Sequence, residues 1–282
     1  MSNNLDTPID PASIKSDSPI RTSNVMKDDF GLEIAAENVP LPSRGVIYPM
    51  EGPLYNKDTL EIRPMTAREE DILTSRAYIK SGTVLTKLLS SCLTDKSINP
   101  DDLISGDRNA LLVSLRITGY GADYDVEVEC PECGTKSKQS FDLSRIGIKR
   151  LDVEPSSEGA NEFEVVLPVT KKSVKVKFLT GHDEREMMIT SERRKKSGLK
   201  VESLITDRLI KSIISVENIT DKNKIGFFVK NLPARDSLAL RKFLDKNEPG
   251  VIMKDWMECP SCHEQSEVGL PMGASFFWPD TE

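Results

Sequence analysis

An α+β fold, built as internally duplicated strand–helix–helix–β-hairpin units joined by a four-cysteine, zinc-ribbon-like site, follows from three observations. Two cysteine turns match, Cys130-Pro-Glu-Cys133-Gly and Cys259-Pro-Ser-Cys262-His. Each first cysteine lies 23 positions after an aspartate, Asp107 or Asp236, that opens a leucine-rich helical stretch. Each copy also carries alternating apolar residues that end in a threonine, with an acid three positions later.

The elements follow in chain order. Residues 1–36 are rich in Ser, Asp, Asn and Pro and read as a disordered tail, or one that orders only against a partner. Leu41-Pro-Ser-Arg-Gly-Val-Ile-Tyr-Pro49, punctuated by Gly and Pro, reads as a turn or extended arm. Leu60-Glu-Ile-Arg-Pro-Met-Thr66 aligns with Val174-Lys-Val-Lys-Phe-Leu-Thr180, both strand-like by alternation. Thr66 with Glu69, and Thr180 with Asp183, then match a helix N-cap, where a side-chain oxygen and an acid satisfy the free amides of the first turn. Capping thus explains Glu69 and Glu70 better than a catalytic carboxylate pair, because no nucleophile or second acid accompanies them.

Leu85–Cys92 and Leu209–Val216 read as paired buried helix segments, and Asp107–Leu115 and Asp236–Leu244 as the second helices. The threonines are offset by 114 positions and the aspartates by 129, so the second copy holds about 15 extra residues. The run 192–200, ERRKKSGLK, can hold much of that excess as a solvated loop or exposed helix end. Val126–Cys130 and Gln139–Leu143 read as the two sides of a hairpin, with Phe163–Val166 and Ser173–Val176 as another. The expected organisation is a tail at 1–36, a first repeat with its knuckle at 37–152, a linker at 153–161, and a second repeat with its knuckle and aromatic end at 162–282.

Composition bounds the function. With 38% apolar and 29% charged residues the chain can build a core. A net charge of −7 argues against a general nucleic-acid surface. The sequence lacks an apolar run long enough for a membrane helix, and its first residues lack the apolar core of a secretory signal. No P-loop or dinucleotide fingerprint is present, and two histidines support no triad.

Cys130, Cys133, Cys259 and Cys262 are the candidate metal ligands. Four thiolates hold one tetrahedral zinc and leave no position open for substrate, so one structural ion per chain is expected to fix the copies against each other. Local disulfides are the bland alternative, disfavoured in a reducing compartment. A thiol redox protein requires a CxxC that opens a helix beside a parallel sheet, and the alternation here favours a hairpin. A zinc-ribbon nucleic-acid adaptor fits the knuckles but not the acidic charge. His263 and His182 are expected as a surface imidazole and a capping neighbour, Cys92 as a small buried hydrophobe, and the methionines as core filling. The run Phe276-Phe-Trp-Pro279 docks on its own core or anchors a partner.

The LPSRGVIYP arm, the passage LEIRPMTAREEDIL at 60–73 and the leucine-rich helix after it resemble baseplate hub proteins of T-even-type contractile-tailed phages. The resemblance is best over residues 38–145, and the duplicated knuckle extends it toward the C-terminus. It implies a non-enzymatic component or assembly factor of the baseplate hub, with other hub or tail-tube proteins as partners; the acidic charge and the lack of a long apolar run leave nucleic acid and membrane off the expected partners. It implies host cytoplasm during assembly, or the virion tail, as the location. It leaves homo-oligomerisation open and carries over no catalytic residue.

Overall fold

A computed structural model describes residues 25–27, 33–196, 203–272 and 274–277. Strands β1 (Val25–Lys27) and β2 (Glu33–Ala35) pair antiparallel, and Ala36 after them is buried; the rest of the expected tail, and Trp278 and Pro279, lie outside the described residues. Mixed helix and strand, with a four-cysteine cluster, is the observed class.

β3 (Glu37–Pro40) pairs antiparallel with β4 (Thr59–Ile62), and the LPSRGVIYP arm fills the connection as consecutive turns. Arg44 and Gly45 both take positive φ. A Cβ on Gly45 would sit 2.4 Å from the Lys57 amide nitrogen, so the turn demands glycine. β4 leads through Thr66 into α1 (Ala67–Thr74), α2 (Arg76–Ser81) and α3 (Val84–Cys92).

Glu69 is buried and accepts from Arg63 Nη2 at 2.7 Å, Ser91 Oγ at 2.5 Å and the Thr66 amide at 2.9 Å. Burial alone would raise its pKa, but these donors outweigh it and hold the carboxyl far below the usual range.

α4 (Ser105–Tyr120) is the central helix, with Leu111 and Leu115 fully buried. In its first turn Asp107 reaches back to the arm. It accepts from Ser43 N at 2.9 Å, Ser43 Oγ at 2.5 Å and Tyr48 Oη at 2.5 Å. Tyr48 Oη in turn accepts from the Ile104 amide at 3.1 Å. Burial raises the Asp107 pKa despite those donors, and it lifts the Tyr48 phenol as well.

β5 (Asp123–Glu129) and β6 (Lys136–Asp142) form the first long hairpin, followed by β7 (Ile148–Lys149). β8 (Phe163–Val166), β9 (Ser173–Val176) and β10 (Ile213–Val216) make an antiparallel three-stranded sheet in the order β10-β9-β8. α5 (Gly181–Lys196) and α6 (Leu204–Ser212) lie between β9 and β10. The chain continues through α7 (Lys222–Lys230), α8 (Ala234–Asn247) and β11 (Gly250–Val251) to the second hairpin, β12 (Lys254–Glu258) and β13 (Gln265–Gly269).

One expectation changes. Leu209–Val216 is not one helix: α6 stops at Ser212 and Ile213–Val216 is strand β10. Ile213, Ile214 and Val216 are β-branched, and the open edge of β9 gives their backbone a ladder, Val216 opposite Val174. Of the two readings of the basic run, the helix end holds through residue 196, and 197–202 lie outside the described residues. Helix α7 adds length between β10 and α8 that the sequence reading had not placed there.

One buried apolar cluster runs through both halves of the chain, from Leu41, Ile62 and Leu89 to Phe163, Val176 and Leu240. Backbone contacts join the halves. Ser105 N donates to Leu179 O at 2.8 Å, Gly181 N to Leu103 O at 3.1 Å, and β11 pairs with β7. A Cβ on Gly106 would fall 1.8 Å from Pro249 O, so α4 packs backbone to backbone on the turn before β11.

Candidate metal centre

Each cysteine turn closes one of the two long hairpins. β5 and β6 hold register from Asp123–Asp142 to Glu129–Lys136, so the tip begins at Cys130. β12 and β13 end their ladder at Glu258–Gln265, so the second tip begins at Cys259. The two turns share their hydrogen bonds. Cys130 N donates to Thr135 O at 2.9 Å, and Gly134 N to Cys130 O at 2.9 Å. Cys259 N donates to Glu264 O at 3.0 Å, and His263 N to Cys259 O at 2.9 Å. Gly134 and His263 occupy the same left-handed position, φ 71° and φ 60°.

The two tips meet. Cys130 Sγ lies 3.8 Å from Cys262 Sγ, and Cys133 Sγ lies 3.6 Å from Cys259 Sγ. All four sulfurs fall within 4.8 Å of one another. Four thiolates at metal–sulfur distances of about 2.3 Å around a tetrahedral ion stand about 3.8 Å apart along each edge, so the quartet has the span of such a site. The same distances are far too long for disulfide bonds, and all four cysteines are free thiols. A soft, all-sulfur, tetrahedral donor set suits zinc or iron and not magnesium or calcium.

Cys130 and Cys259 are buried at the bases of the tips, whereas Cys133 is exposed and Cys262 half-buried. Hydrogen bonds from Thr135 hold the Cys133 thiol down at about 6. At Cys262 the Glu264 amide favours the thiolate, but burial and the three neighbouring sulfurs push the thiol up to about 12. Without a cation, sulfurs this close oppose one another's ionisation; a metal ion removes that conflict. Thr135 escaped the sequence reading, although its place two residues after Cys133 is the available signal.

The remaining candidates lie elsewhere. His263 is exposed and outside the sulfur cluster. His182 is exposed, with Nε2 3.1 Å from Asp102 Oδ1. Cys92 is buried, which pushes its thiol up to about 12. Glu69 caps α1, and Glu70 accepts from Tyr120 Oη at 2.8 Å. Phe276 and Phe277 dock on the chain's own core, with the Phe276 ring edge-on to Tyr124 at 5.2 Å. No helix among the described residues is long and apolar enough to cross a membrane.

No curated protein and no solved structure matches the chain. A family model does, the T4 bacteriophage base plate protein, over residues 46–278. That span takes in the end of the turn-rich arm, the central helix, both cysteine hairpins and Phe276, and so the chain belongs to the T4 bacteriophage base plate protein family.

Proposed function

We propose that this protein is a non-enzymatic part of the baseplate hub, either a structural component or an assembly factor, that binds other hub or tail-tube subunits as a rigid block. The observation that carries the reading is the meeting of four sulfurs from hairpins 129 positions apart, within a chain of the baseplate family. Cys130, Cys133, Cys259 and Cys262 would hold one zinc ion. Fully coordinated by thiolates, it would supply structure and no open position for chemistry. The expected sites of action are the host cytoplasm during assembly and the tail itself.

The block reads as two copies of one unit, 37–152 and 162–282, joined by the linker 153–161. Several correspondences support this. A Leu-Pro arm follows the first strand of each copy, Leu41-Pro42 and Leu167-Pro168. Asp107 accepts from the Ser43 amide, and Asp236 accepts from Val169 N at 2.7 Å and Thr170 N at 3.0 Å. Arg63 pairs with Glu69 three positions after Thr66, and Lys177 with Asp183 three positions after Thr180. Arg63 N donates to Cys92 O, and Lys177 N to Ser212 O.

Elemental analysis of the purified chain, together with identification of its neighbours by cross-linking in assembling baseplates, tests the reading. One zinc per chain and cross-links to hub or tube subunits are expected. A metal-free chain with four reactive thiols would sink the clip, and cross-links confined to peripheral baseplate proteins would sink the hub assignment.

A further inference from the structure

The four sulfurs of the cluster do not share one environment. Cys130 and Cys259 are 1% and 0% exposed at the bases of their turns. Cys133 is exposed, and so are Pro131, Glu132 and Gly134 around it. A small oxidant dissolved in water therefore reaches Cys133 first. The buried Cys259 Sγ lies 3.6 Å from Cys133 Sγ, across the gap between the tips. The other sulfur–sulfur hydrogen bond, Cys130 to Cys262 at 3.8 Å, crosses the same gap. A disulfide is about 2.05 Å long, so Cys133 and Cys259 close one with about 0.8 Å of movement each. Cys92 is fully buried and outside the cluster, and it does not compete.

We infer that Cys133 and Cys259 form a redox-modification site, in which a hydroperoxide oxidises Cys133 and Cys259 resolves it into a disulfide joining the two tips. The inference deepens the proposed function and rests on it for the bound ion; the sulfur pairing stands on the geometry of the tips alone.

In the first step the Cys133 thiolate attacks one oxygen of hydrogen peroxide. The O–O bond breaks, leaving a sulfenic acid on Cys133 and releasing hydroxide. In the second the Cys259 thiolate attacks the sulfenic sulfur, the S–S bond forms, and the S–O bond breaks to release a second hydroxide. Each hydroxide takes a proton from solvent. Two electrons pass from the sulfurs to the peroxide, whose oxygens leave as water. Cys130 and Cys262 remain as two thiolates, too few for a closed tetrahedral site.

The modification changes what holds the hairpins without parting them. Thiolate ligation suits a reducing compartment and a disulfide an oxidising one. A tail protein built in the first and carried into the second keeps its tips joined in both.

The test treats the full chain, purified reduced with its metal, with one equivalent of hydrogen peroxide. A chromogenic chelator follows the metal, and peptide mapping without reduction reads the linkage. About one metal ion is expected to be released per peroxide consumed, together with a disulfide between the peptides that hold Cys133 and Cys259. The bond joins positions 126 apart, so the oxidised chain is expected to melt roughly 5–10 °C above the reduced chain stripped of metal.

A linkage within either turn, Cys130 to Cys133 or Cys259 to Cys262, overturns the inference, as does a linkage between two chains. Metal retained with every thiol reduced after excess peroxide overturns it as well, and so does an oxidised chain that melts no higher than the reduced one. A chain that holds no metal when purified reduced overturns the metal clip instead, and its linkage after peroxide still decides the pairing.

Discussion

Arg116 in the central helix and Phe276 near the end of the chain are joined by a 2.8 Å hydrogen bond, from the guanidinium Nε to the Phe276 carbonyl. The same guanidinium donates to Gly121 O at 2.6 Å and Asp123 O at 2.8 Å. Tyr124 completes the junction, its hydroxyl donating to Pro271 O at 2.7 Å while its ring meets Phe276. The first cysteine hairpin is therefore anchored at its base by the C-terminal segment and at its tip by the opposing sulfurs. Cys130 lies six residue steps beyond Tyr124, about 20 Å of extended chain. With an ion shared by the four sulfurs, two anchors so far apart would resist both hinge and twist between the hairpins.

Arg116→Met should release the base anchor. Three backbone carbonyls would lose a charged donor in a side-chain site that is 2% exposed, at an expected total of about 3 kcal/mol. Thermal unfolding measures the loss, and limited proteolysis should cut first after β13. An unchanged melting temperature would show that the clasp adds nothing in solution.

If the four sulfurs hold an ion as proposed, removing it should loosen the tip. Cys259→Ser or a strong chelator is expected to lower stability by several kcal/mol, below the ~10 kcal/mol of metal-dependent mini-domains because one shared core already joins the halves. Metal content and calorimetry on the same sample check this. Full stability after complete metal loss would remove the clip from the account.

Acid should act through Glu69. Its folded pKa is depressed, so the group stays ionised in the native state at pH values where the unfolded chain, with a pKa near ~4.3, takes up a proton. Its contribution is complete above that unfolded value and disappears as pH falls through the folded one. Asp107, raised by burial, works in the opposite sense, its contribution being lost as pH rises from the unfolded value toward its folded one. Comparison with Glu69→Gln isolates the first group. The variant should be about 3 kcal/mol less stable at pH 7, because Arg63 loses its buried partner, and its stability should fall less steeply below about pH 4. Parallel pH curves for the two proteins would refute the assignment.

The parts of the fold legible in sequence were those whose cause is local. The matched CxxC turns, the Thr66 and Thr180 caps and the alternating hairpin strands each declare themselves within a few residues. So does the baseplate family, whose resemblance rested on residues 41–49, 60–73 and the leucine-rich helix after them, and whose match runs from 46 to 278. Ile213–Val216 was misread because apolar β-branched residues fit a buried helix or a buried strand equally well by pattern; the β9 edge decides. Asp107 was visible only as a helix start, since its arm partner Ser43 lies 64 positions away. Arg116 gave no signal, because its farthest acceptor is a backbone carbonyl 160 positions on.

His263 offers a test of how the second tip is built. It occupies the left-handed position that Gly134 fills in the first tip, and an L-residue there costs about 1 kcal/mol relative to glycine. Its ring is exposed, and the four sulfurs already complete a tetrahedral set without it. His263→Gly should therefore keep full metal content and gain up to about 1 kcal/mol, whereas Gly134→Ala should lose a similar amount. Loss of metal from His263→Gly would make the imidazole a ligand and reduce the sulfurs to three.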